Sequence, residues 1–136
     1  MKRSLIKEYH SAENELERLV LIESILSRHQ EFELQDLLSD LLFVLCNDEN
    51  CVIRHEAVFN IGQLAIAKGA ESLINIDEIL MQLDNEKSTV VKHEILETLG
   101  FFKSELSREC LKIYQSSLEL DLSDTARISL MRSLAL

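Results

Sequence analysis

The chain has 136 residues, 46% of them hydrophobic and 28% charged, with no proline, three glycines and a net charge of −10 at pH 7. This composition excludes a disordered chain and leaves strand-turn-strand architectures almost without punctuation, so an all-α fold in one domain over residues 1–136 is expected. The acidic balance excludes a reader of nucleic-acid backbone, since no basic stripe is present to release counterions, and no apolar run reaches the roughly 20 residues that a membrane helix needs.

In chain order, MKRSLIKEYH starts basic but has neither an apolar core nor a cleavage site, so it is not a signal peptide. ENELERLVLIESIL is the first amphipathic stretch. FELQDLLSDLLFVL follows, with Leu34, Leu37, Leu38, Leu41, Leu42 and Leu45 at helical spacing. VIRHEAVFNIGQLA is next, with Asp48 or Asn50 as its N-cap and Gly69 after its AIAK end. ESLINIDEILMQL then leads to VVKHEILETLGFF, capped by Ser88, and SRECLKIYQSSLEL leads to DTARISLMRSLAL, capped by Ser123. Gly62 and Gly100 fall inside helices, where each costs about 1 kcal/mol relative to alanine. A helix contact closer than a side chain allows is sufficient reason for them. Cys46, Cys51 and Cys110 are odd in number and lack a CxxC spacing, as in a reduced, cytoplasmic protein.

Two of these segments are copies of one another. His55-Glu56 and His93-Glu94 lie 38 residues apart, and the match extends to Val52 with Val90, Ile53 with Val91, Arg54 with Lys92, Ala57 with Ile95, Ile61 with Leu99 and Gly62 with Gly100. More faintly, Leu16 falls under Val52 and Arg127 under Lys92. A period of this length predicts an α-solenoid: a leading helix, then alternating outer and inner helices, in about four stacked helical hairpins.

The V-[IV]-[RK]-x-x-[AI] opening resembles HEAT repeats, particularly the subtype shared with phycobilisome lyases. The step (V/I)(R/K)HE followed by Leu/Ile-Gly, in Ile53–Gly62 and Val91–Gly100, resembles deoxyhypusine hydroxylase. That resemblance implies a solenoid of two similar halves, each with two His-Glu pairs, and a di-iron centre held between them. Four repeats with His-Glu in the middle two look like one such half.

On their own terms, His55 and Glu56 lie off the apolar stripe of Ile53, Ala57, Ile61 and Leu64. Neighbouring inner helices of a solenoid run roughly 8–10 Å apart, which lets His93 and Glu94 lean toward a common ion with them. His55, Glu56, His93 and Glu94 are therefore the candidate metal ligands. Imidazoles with carboxylates suit iron, and manganese or zinc is chemically acceptable. A twofold homodimer doubles the set to two metals, in place of the two halves of the resembled enzyme. Asn60 and Thr98, one turn beyond the glutamates, are candidate supports for the ligands.

The plainer reading makes each pair a solvated helix edge copied by duplication. Against it, the flanking repeats carry Leu19-Val20 and Ile128-Ser129 at the same positions, so the pair marks only the centre. Cys51, four residues before His55, forms a Cys-His arrangement that the next repeat breaks with Thr89, as expected of a small thiol without a catalytic role. HExxH is absent, which excludes a zincin-type protease, and His10 and His29 fall in polar surroundings typical of surface residues. Two functions are expected to compete: an oxygen-binding or hydroxylase-type metal protein, and a non-catalytic scaffold whose acidic surface takes a basic protein or peptide.

Overall fold

The computed structural model describes residues 2–136, and among these the chain is all-helical apart from one isolated bridge between Arg3 and Phe32. Two compact units divide it, the first running to Ile74 and the second Asn75–Leu136. No helix among the described residues is long and apolar enough to cross a membrane.

The first unit holds α1 (Leu5–Ser11), α2 (Glu15–Glu23), α3 (Leu34–Asn47) and α4 (Cys51–Lys68). α3 buries Leu37, Leu38, Leu41, Leu42, Val44 and Leu45, which recur every three or four residues and so share one stripe. That stripe meets Ile53, Ala57, Val58, Ile61 and Leu64 of α4 across a three-residue linker, giving an antiparallel hairpin. α1 packs on α3 and α2 on α4, so odd helices meet odd and even meet even.

The ends of α4 carry the signals expected of them. The Asn50 side chain accepts from the Val52 N–H at 2.8 Å, and Gly69 adopts the left-handed conformation at φ 59° that ends the helix. Asp48, the other cap candidate, serves the tertiary structure instead. Its buried carboxylate accepts from Tyr9 Oη at 2.6 Å, Arg18 Nε at 2.9 Å and the Asn50 N–H at 2.8 Å, tying α1 and α2 to the α3–α4 turn.

The second unit repeats the plan with α5 (Ile76–Asn85), α6 (Thr89–Leu99), α7 (Glu105–Tyr114) and α8 (Leu120–Leu134). α5 packs on α7 and α6 on α8, while α7 and α8 form the terminal hairpin. Its core is Ile79, Leu83, Val91, Ile95, Leu96, Leu99, Phe102, Leu111, Leu122 and Ala126. Ser88 caps α6 as expected, and buried Glu86 accepts from the Ser88 N–H much as Asp48 accepts from that of Asn50. At Gly100 an added Cβ would stand 2.8 Å from Ser129 Cβ and 2.9 Å from its carbonyl oxygen, so α6 and α8 approach where only glycine fits.

Three expectations need correcting at the level of elements. α1 is a helix that the short segment LIKEYHS does not advertise, because seven residues show too little periodicity. Ser123 lies inside α8, which begins at Leu120 after Glu119, and its hydroxyl donates to the Gln115 carbonyl at 2.7 Å. The amphipathic run of α7 stops at Tyr114, short of the Leu120 that periodicity alone includes.

Candidate metal centre

α6 begins at the Ser88 cap and turns its buried face, Val91, Ile95, Leu96 and Leu99, into the core. His93 and Glu97 follow one turn apart on the rim of that face, with His93 Nε2 3.9 Å from Glu97 Oε1. Glu94 points inward and is only 7% exposed. One ligand atom from each of His93, Glu94 and Glu97 lies within 4.8 Å of the others. Donors that share an ion through bonds of about 2.0–2.2 Å stand at most about 4.4 Å apart, so small side-chain rotations suffice to close the set.

One buried carboxylate and two half-exposed donors make an anchored but open site. An ion held by these three residues would have positions left for water or a small ligand. On the α8 side, His93 borders a groove of about 360 Å³ lined also by Thr89, Val90, Asp121, Asp124 and Thr125. The donor chemistry, one imidazole with two carboxylates, fits iron, and equally manganese or zinc.

The structure thus gathers His93 and Glu94 with a third residue that sequence reading missed, Glu97. The signal was present as the i, i+4 spacing of His93 and Glu97. The repeat does not carry it, since Phe59 holds the matching place on α4. His55 and Glu56 lie on α4 in the first unit, both part-exposed, with His55 Nδ1 3.6 Å from Glu56 Oε1. The two pairs are alike in sequence but unequal in setting: a two-donor contact on α4 and a three-donor cluster on α6.

The residues expected to support ligands do other work or lie deep. Asn60 is buried, and its Nδ2 donates to the Ile22 carbonyl at 2.7 Å, which satisfies the end of α2. Thr98 is fully buried on α6. Cys51 is exposed at the first turn of α4. Cys110, on α7, has its thiol pushed up to about 11 by burial and then by the Asp84 charge, which disfavours the thiolate. His10 is exposed as expected, with edge contacts to Tyr9 and Phe43.

Compared with known proteins, the chain matches no family model, no curated protein and no solved structure.

Proposed function

We propose that this chain is a metal-binding helical-repeat protein in which His93, Glu94 and Glu97 hold a divalent ion, with iron as the first candidate. The observation that carries the reading is the convergence of three donors of the right chemistry on one helix, one of them buried. His55 and Glu56 form the second His-Glu pair of the proposal, and the HEAT-like motif around both pairs supports a repeat solenoid resembling half of deoxyhypusine hydroxylase. Two copies then supply four imidazoles in a homodimer, enough for a di-iron, oxygen-binding or hydroxylase-type protein.

Within the site each residue has a distinct part. Glu94, walled by protein, fixes the position of the ion. His93 and Glu97, at the rim, complete its binding and face the solvent from which a ligand arrives. Bound iron would supply oxygen chemistry.

The test is an anaerobic titration with Fe(II), followed by metal counting and a visible spectrum. About one metal per chain is expected. Loss of binding in His93→Ala and in Glu97→Ala, with the fold unchanged by circular dichroism, supports the site. Full binding in both variants removes it. The competing scaffold reading is favoured by exposed apolar side chains on the terminal hairpin, Leu106, Ile113, Ile128 and Met131 among them. It predicts a protein that stays metal-free and loses nothing when the histidines are replaced.

A further inference from the structure

We infer that the outward face of α8 is the surface on which a second copy of this chain docks, antiparallel, about a twofold axis near the middle of that helix. This deepens the dimer of the proposed function and shares its twofold, but it rests on α8 and needs no metal.

Leu120, Asp124, Arg127, Ile128, Met131 and Leu134 recur every three or four residues, are all exposed, and share one face of α8. The opposite face, with Leu122, Ala126, Ser129 and Leu130, is buried in the second unit. The outward face is apolar out of proportion for solvent: Leu120 is 77% exposed and Met131 62%. In each unit the even-numbered helices pack on one another, α2 on α4 and α6 on α8, and the outward face of α8 stays exposed.

Charge selects the occupant. Asp121 and Asp124 stand in the first half of α8 and Arg127 just past them, and none has an ion pair with another described residue. A parallel mate opposes like charges. An antiparallel mate sets each copy's Asp124 against the other's Arg127, twice by symmetry, and the same register sets Leu120 against Met131. The face is self-complementary only in this orientation.

A single helix of 15 residues is about 22 Å long, so the contact falls at the small end of specific interfaces, among which weak, reversible association is common. Docking there also brings the mate's α8 over the groove beside His93, which Asp121 and Asp124 line.

Sedimentation equilibrium on the full chain with EDTA present, from about 1 to 200 µM, is the test. A reversible dimer is expected, weakened at least about tenfold by Met131→Asp. Asp124→Arg and Arg127→Glu should each weaken it, and the double variant should recover most of the loss. Each variant alters only exposed side chains, and circular dichroism verifies its fold. A chain monomeric throughout, one that dimerises only with metal, or a dimer indifferent to Met131→Asp overturns the inference. So does a double variant no better than the singles. A monomer leaves the face to a different protein, and in every case the Fe(II) titration judges the metal site separately.

Discussion

Asp48 shows how one side chain holds several elements. Burial pushes its carboxyl up, but hydrogen bonds from Tyr9, the Asn50 N–H and Arg18 outweigh that push, and it ends below the usual carboxylate range. Tyr9 moves the other way, to about 12, because burial and the Asp48 hydrogen bond both favour the neutral phenol. Asp48→Ala strands the Tyr9 hydroxyl and the Arg18 guanidinium, so a loss of about 2–4 kcal/mol is expected in urea denaturation. A depressed carboxyl stabilises the fold above its unfolded pKa and loses that contribution as pH falls through its folded one. The gap between parent and Asp48→Asn should therefore be full at pH 7 and shrink below about pH 4. Asp40, raised by burial, acts in the opposite sense, and taking the difference between two chains that both carry it cancels its part. Thiol reactivity gives a second residue-scale check. At pH 8 Cys110 should be alkylated at least about tenfold more slowly than Cys46 and Cys51, which are exposed, as mass spectrometry of each peptide would read.

At the scale of elements, two glycines serve different ends. Gly100 sits where α6 meets α8, and a Cβ there collides with the backbone of Ser129, which cannot rotate away. Gly100→Ala should cost about 1–3 kcal/mol by thermal denaturation. Ser129→Gly should recover only part of this, since the Cα and carbonyl contacts remain. Gly69 has open space around it, and only its positive φ resists substitution. Gly69→Ala should cost about 1 kcal/mol, with no second-site residue able to relieve it. Full recovery of Gly100→Ala by Ser129→Gly, or relief of Gly69→Ala by any second-site substitution, would contradict this division.

For the whole molecule, ligand linkage offers the plainest readout. If the α6 cluster binds an ion, metal at 100 times its dissociation constant should raise stability by about 2.7 kcal/mol. The effect should vanish in Glu97→Ala and persist in Cys51→Ser, an exposed position on α4 remote from α6. A metal-induced shift of equal size in Glu97→Ala would place the ion elsewhere.

The helices after α1, their order and most of their ends were legible in the sequence because local physics decides them. Apolar spacing names the buried stripe of α3, Asn50 and Ser88 cap the helices that follow, and Gly69 supplies the left-handed stop. The 38-residue repeat made His55, Glu56, His93 and Glu94 visible together. What needed the tertiary structure was environment. Two dipeptides with the same letters differ because Glu94 is walled by its unit and has Glu97 a turn away, whereas the α4 pair has Phe59 in that place. Asn60 reads as a neighbour of Glu56 and in fact satisfies the last turn of α2, a contact across 38 residues. Helix periodicity is a property of neighbours in the chain. Burial, donor convergence and the complement of an exposed face depend on residues brought together from far along it, so only folding could decide them.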